Sequence, residues 1–293
     1  HVGFGSKSVN GTMIFADKGT MVDVKGLGDK IVDSAWEDMT NATINWGYQN
    51  PESSSSLGTT IAYATGVFSA REHNLDSTAD SGLTGKVTSH IKINGSDVDM
   101  ISRQGTAYNA TNGGEIEVTG NKTTRAGGYQ SVIAYATGKV GNITPADPIY
   151  SKYANIASKI SIEGDIIAAD NNILGKVNSV GGNTIGTPDP AKVSTNGFNN
   201  RANTYQNIGA YAKDGATITI KTANKATNTV EDAAAPTGSL IYGLAAYANG
   251  TGSKVTYDST GKGILVVSGK DGAVYATNNG QVEFNGDIIN QDN

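Results

Sequence analysis

The run GAVYATNNGQVEFNGDII, residues 272–289, holds two short strand-like pieces. Ala273-Val274-Tyr275-Ala276 leads through Thr277-Asn278-Asn279-Gly280 into Gln281-Val282-Glu283-Phe284, closed by Asn285-Gly286. Degraded copies recur upstream. Met13-Ile14-Phe15-Ala16 leads to Met21-Val22-Asp23-Val24, and Ile61-Ala62-Tyr63-Ala64 to Ile91-Lys92-Ile93. Ala107-Tyr108-Asn109-Ala110 leads to Ile116-Glu117-Val118, and Ile133-Ala134-Tyr135-Ala136 to Ile160-Ser161-Ile162. Gly209-Ala210-Tyr211-Ala212 leads to Ile218-Thr219-Ile220, and Ala245-Ala246-Tyr247-Ala248 to Val255-Thr256-Tyr257.

Each copy is centred on an aromatic: Phe15, Tyr63, Tyr108, Tyr135, Tyr211, Tyr247 and Tyr275. Their separations are 48, 45, 27, 76, 36 and 28 residues. The two shortest fit one turn of a parallel β-helix, inside the roughly 20–50 residue periods of stacked architectures. The longer ones must hold a loop, an unmarked turn, or both. In the second piece of each copy, Val22/Val24, Ile116/Val118, Ile160/Ile162, Ile218/Ile220 and Val282/Phe284 face one way. Asp23, Glu117, Ser161, Thr219 and Glu283 face the other. This period of two marks a half-buried strand. Such strands are too short to fold alone, and stacked copies bury one continuous narrow core.

The fold expected is therefore all-β, a right-handed parallel β-helix (solenoid) with long loops projecting between strands. Residues 1–293 are read as one solenoid segment of about ten turns. Composition agrees, with 38 Gly, 37% hydrophobic and 17% charged residues. One stretch, 33–39, has room for a short helix, and Trp36 and Trp46 near it read as a local core patch. Small residues flank each aromatic: Ala62/Ala64, Ala134/Ala136, Ala210/Ala212 and Ala246/Ala248. Alternation of faces puts these alanines inward and the aromatics outward as a stacked stripe.

Five stretches interrupt the repeat: 47–60, 66–84, 138–157, 178–207 and 224–239. Each is rich in Gly, Ser, Asn, Thr or Pro. Loops beyond about 12–15 residues are uncommon unless functional or disordered. They carry large side chains that the strands lack, and aromatic and Arg residues are the usual anchors of recognition. The candidate ligand-contact residues are Tyr48, Arg71, His73, Tyr150, Tyr153, Phe198, Arg201 and Tyr205.

Catalytic signatures are poor. Histidines are His1, His73 and His90, and there is no cysteine. No G-x-S-x-G elbow and no H-E-x-x-H occurs, so neither a serine triad nor a usual zinc site has local support. Gly3-Phe4-Gly5-Ser6-Lys7-Ser8 and Gly250-Thr251-Gly252-Ser253-Lys254 lack the spacing of a phosphate loop. Asp97 and Asp99 share a strand face and read as solvated rather than as a Ca²⁺ site. No catalytic residue, metal or cofactor is assigned. The net charge of −5 argues against nucleic acid and anionic membrane surfaces as partners. The longest purely aliphatic run, Ile264-Leu265-Val266-Val267, falls far short of the ~20 residues of a membrane helix, so no membrane insertion by this stretch is expected.

The strings AVYATNNGQVEFNGDI, IAYATG and AYNATNGGEIEVTGN resemble the β-helical passenger regions of single-chain autotransporters, closest to the large fusobacterial-type outer-membrane adhesins. The likeness covers about residues 12–288. It implies display on the bacterial cell surface, anchored in the outer membrane by a C-terminal β-barrel absent from this sequence. The first residues and the polar caps missing at both ends read as those of an excerpt. The resemblance also implies adhesion to host or bacterial surface proteins or glycans, with no enzyme activity. The alternatives are a passive stalk that presents a distal binding domain, and a β-helix enzyme acting on polysaccharide.

Overall fold

The structure, a computed structural model, describes residues 4–6, 11–25, 30–33, 60–68, 87–101, 105–127, 131–140, 155–169, 207–226, 238–267 and 272–290. It is a parallel β-helix. Every pair of named strands is parallel, and strands three apart in sequence lie side by side. Each coil contributes three strands, one to each of three faces.

A lone third-face strand, β1 (Phe4–Ser6), comes first. Coil 1 is β2 (Thr12–Asp17), β3 (Met21–Lys25) and β4 (Lys30–Asp33). Coil 2 is β5 (Thr60–Thr65), β6 (His90–Asn94) and β7 (Asp97–Ile101). Coil 3 is β8 (Thr106–Thr111), β9 (Glu115–Thr119) and β10 (Thr124–Gly127). Coil 4 is β11 (Val132–Thr137), β12 (Lys159–Glu163) and β13 (Ile166–Ala169). Coil 5 begins with β14 (Asn207–Lys213) and β15 (Thr217–Lys221).

From there strands fuse across corners. β16 (Ser239–Asn249) completes coil 5 and opens coil 6, bending at Gly243, whose φ of 129° an L side chain rarely adopts. β17 (Lys254–Val267) completes coil 6. β18 (Val274–Thr277) and β19 (Gln281–Asn290) form coil 7.

Successive aromatic-marked segments pair directly, so each long separation in sequence holds an insertion and no unmarked turn. The described chain therefore winds seven coils rather than about ten. At about 4.8 Å per coil the rod is about 35 Å long. Residue 33 ends β4 instead of starting a helix, and 34–39, Trp36 and Trp46 lie outside the described residues.

The core is one column running the length of the rod. Ile91/Ile93, Ile116/Val118, Ile160/Ile162 and Ile218/Ile220 stack in register on the second face and are fully or almost fully buried. On the first face the alanines do face inward: Ala62, Ala64, Ala134, Ala136, Ala210, Ala212, Ala246 and Ala248 are all at 0% exposure. Small residues there let this face close on the opposite wall at the packing density interiors require.

Two tyrosines replace small or aliphatic core residues, and the surroundings compensate. Tyr108 takes an alanine's inward place opposite Ala62 and Ala134, and its hydroxyl meets Thr124 Oγ1 at 2.7 Å. Tyr257 donates to the Ala245 carbonyl at 2.6 Å, and burial pushes its pKa up. Gly209 leaves space for that hydroxyl, since a Cβ there would lie 2.6 Å from it.

Candidate interaction face

The corner between the first and second faces is built in two ways. Coils 1, 3, 5, 6 and 7 turn tightly through residues with positive φ, at Lys18-Gly19, Asn112-Gly113, Asp214-Gly215, Gly250 and Gly252, and Asn278-Asn279. Coils 2 and 4 instead send the chain out at the same corner. Gly66 and Gly138, each at φ 76°, begin the departure. Antiparallel bridges Val67↔Thr88 and Lys139↔Ala157 close the two stems. The stems are built alike: Phe68 N–H donates to Val87 O at 2.7 Å, and Val140 N–H to Ile156 O at 2.8 Å.

The two stems meet. Val67 and Val140 are buried against each other's neighbourhood with Val87 and Ile156, as a small core separate from that of the rod. The tight turn of coil 3 runs beneath them. A Cβ on Gly113, already at φ 82°, would collide with Val140 Cγ2. Serines lock this corner coil to coil. Ser89, Ser158 and Ser253 accept from the Gly19, Gly113 and Gly215 amides at 2.8, 3.0 and 2.9 Å. Ser253 Oγ also donates to Asn249 O at 2.7 Å, so the serine of the Gly250–Lys254 motif is committed to the corner rather than turned to an anion.

The remaining interruptions leave elsewhere. Residues 34–59 and 170–206 join a third-face strand to the next first-face strand, and 227–237 join second face to third. The five predicted loops thus depart from three corners of the rod. Tyr48, Arg71, His73, Tyr150, Tyr153, Phe198, Arg201 and Tyr205 all lie outside the described residues. What is placed is the anchorage of their segments. In sequence, Arg71 and His73 fall between the two sides of one stem, Tyr150 and Tyr153 between those of the other, and the other four between a third-face strand and the next first-face strand.

That first face carries the aromatic row. Phe15 and Tyr63 stand 5.4 Å apart between ring centroids, and Tyr135 and Tyr211 5.2 Å. Tyr211 and Tyr247 stack at 4.5 Å, and Tyr247 meets Tyr275 edge-on at 5.6 Å. Hydroxyls bond onward to the next coil: Tyr63 with Thr111 Oγ1 at 3.2 Å, Tyr247 with Thr277 Oγ1 at 3.4 Å. Burial raises the Tyr211 pKa, with its hydroxyl bonded to Asn249 as an opposing influence.

One expected member is missing from this row. The register opposes Tyr63 and Tyr135 to Asn109, because Tyr108 is turned into the core. The sequence carries the signal: counted back from the shared Ala-Thr of IAYAT and AYNAT, Asn109 and not Tyr108 falls at the aromatic place.

The second face bears charge and hydroxyls. Lys92 Nζ sits 3.1 Å from Glu117 Oε1, His90 Nε2 3.5 Å from Glu117 Oε2, and Lys254 Nζ 2.6 Å from Glu283 Oε2. Asp97 accepts from the Thr123 amide at 2.8 Å and so closes a turn of the next coil. No group of three or more His, Cys, Asp or Glu able to hold a metal occurs among the described residues, and no helix there is long and apolar enough to cross a membrane. No protein-family model, curated protein or solved structure matches this chain.

Proposed function

We propose that this chain is a stretch of the surface-displayed β-helix of a bacterial autotransporter adhesin, which binds surface proteins or glycans and performs no catalysis. In this reading its parent is held in the outer membrane by a C-terminal β-barrel. The observation that carries the binding role is the first face. An outward aromatic row runs along it, and four of the five interruptions leave from its two edges. Aromatic rings on a rigid sheet flanked by long insertions are a common way to build a recognition surface. The paired stems of coils 2 and 4 add a second rigid base on the same side.

The test is a binding screen of the full chain against host cells, bacteria and a glycan array. Beside it runs a variant whose 69–86 and 141–154 segments are replaced by short turns joining the intact stems. Binding that falls in the trimmed variant supports the reading, and no binding by the full chain to any target sinks it.

A passive stalk is the second reading. The mutual covering of Tyr211 and Tyr247 and their onward hydroxyl bonds favour it, since they engage the rings within the ladder. Full-length rod stiffness with no affinity would support the stalk.

A further inference from the structure

We propose that Tyr211 and Tyr247 form an oxidative modification site, at which hydrogen peroxide and a peroxidase join the two rings and bind coil 5 covalently to coil 6. The chain has no cysteine, so no disulfide can tie one coil to the next. Tyrosine is then the side chain through which an oxidant can staple the rod. Parallel register brings Tyr135, Tyr211, Tyr247 and Tyr275 to one position on consecutive coils of the first face. All four stand on the outer side of the sheet, half-buried or exposed.

Geometry singles out one pair. The new bond forms between orbitals perpendicular to each ring plane, so the two rings must overlap face to face. Tyr211 and Tyr247 lie 4.5 Å apart between centroids with planes only 8° from parallel, an overlapped stack. Tyr135 is tilted by 58° to Tyr211 at 5.2 Å, and Tyr275 stands at 88° to Tyr247 at 5.6 Å. Tyr257 is also stacked, at 4.7 Å and 5°, but it is buried and its neighbour Phe284 carries no phenol. The hydroxyl of Tyr211 is bonded to Asn249, and that of Tyr247 accepts from Thr277 Oγ1 at 3.4 Å, which holds both rings in place beforehand.

Each phenol gives up its hydroxyl hydrogen, two electrons and two protons in all. The peroxidase passes them to hydrogen peroxide, whose O–O bond breaks to yield two waters. The two phenoxyl radicals couple through ring carbons ortho to oxygen. The hydrogen on each of those carbons then moves as a proton to its phenolic oxygen, which restores both aromatic rings. The link closes the chain between residues 211 and 247, and it removes freedom from the unfolded chain as a disulfide would.

The experiment treats the full chain with hydrogen peroxide and a peroxidase, at a dilution where separate chains do not join. Beside it run Tyr211→Phe, Tyr247→Phe and Tyr275→Phe, whose folding circular dichroism first establishes. Phenylalanine keeps the ring and already occupies this row at Phe15. N-acetyltyrosine amide in the same mixture shows that the oxidant is active. The parent is expected to lose the mass of two hydrogen atoms, to gain dityrosine fluorescence and to melt higher than the untreated chain. Proteolysis should then release one joined peptide that holds Tyr211 and Tyr247. Tyr211→Phe and Tyr247→Phe should lose the joined peptide and the rise in melting temperature, and Tyr275→Phe should keep both. No link within the folded parent while free tyrosine couples overturns the site, and so does a link that maps chiefly to any other pair. Should a variant fail to fold, the peptide map of the parent decides alone. Each of these outcomes leaves the adhesin reading untouched, since none measures binding.

Discussion

At the scale of single residues, the polar groups buried at coil corners hold the coils together. Asp165 is 2% exposed, and its carboxylate accepts from the Ala223 amide at 3.0 Å, the Asn224 amide at 3.1 Å and Asn224 Nδ2 at 2.6 Å. It thereby ties coil 4 to the corner of coil 5. Asp165→Ala leaves two backbone donors without an acceptor and is expected to lower stability by about 2–3 kcal/mol in urea unfolding. A loss below about 0.5 kcal/mol would mean that water replaces the carboxylate.

The exposed pair Lys254–Glu283 behaves differently. The hydrogen bond from Lys254, then that from Asn285, and the charge of Lys254 hold the Glu283 carboxyl below its ordinary value. Its folded pKa is therefore lower than its unfolded one. The pair's contribution is complete above the ordinary glutamate range and disappears as pH falls through the folded value. Lys254→Met should flatten that part of the stability-against-pH curve and leave the neutral-pH value nearly unchanged, because exposed pairs contribute little.

At the scale of elements, the two stems of coils 2 and 4 act as one support. Their shared apolar cluster bridges the coil 3 turn, and Gly113 lies under it with positive φ and no room for a Cβ. Gly113→Ala combines left-handed strain, about 1–2 kcal/mol, with displacement of Val140. The expected outcome is faster hydrogen exchange at the Phe68, Ser89, Val140 and Ser158 amides of both stems, while the Ile160 and Ile218 amides of the rod stay protected. Exchange that quickens in only one stem would show that the two are independent.

The repeat motif was readable at this scale because alternation is local. Val22/Val24 through Val282/Phe284 announce their inward face by spacing alone. The departure from the aromatic row at Tyr108 was readable only by position, since matching tyrosine to tyrosine misses it, whereas the pleat counts residues back from the shared Ala-Thr. One residue of offset sends a side chain to the opposite face.

At the scale of the molecule, the rod is a chain of nearest-neighbour contacts. Within this stretch, the first and last described coils expose positions that the coils between them cover. Phe15 and Tyr275 are 50% and 47% exposed, and Ala276, at a position fully buried in coils 2 to 6, is exposed. In a stacked architecture stability is close to a sum over coil interfaces, so coils with two neighbours outlast those with one. Ile160→Ala in coil 4 should therefore cost about 2–5 kcal/mol, and Phe284→Ala in coil 7 clearly less than the 3–5 kcal/mol of an ordinary buried aromatic. Native-state hydrogen exchange should show protection greatest in coils 3 to 5 and decaying to both ends. Uniform protection from coil 1 to coil 7 would contradict a nearest-neighbour rod.

The amino-acid sequence by itself determined that this chain stacks short parallel strands into a solenoid. A period of two and a recurring aromatic are properties of adjacent residues, and they need no knowledge of what lies across the core. It did not determine the number of coils or the corners from which the insertions leave. Those depend on which strand pairs with which across separations of up to 76 residues. Only the closed register of backbone hydrogen bonds, satisfied coil upon coil, fixes that choice.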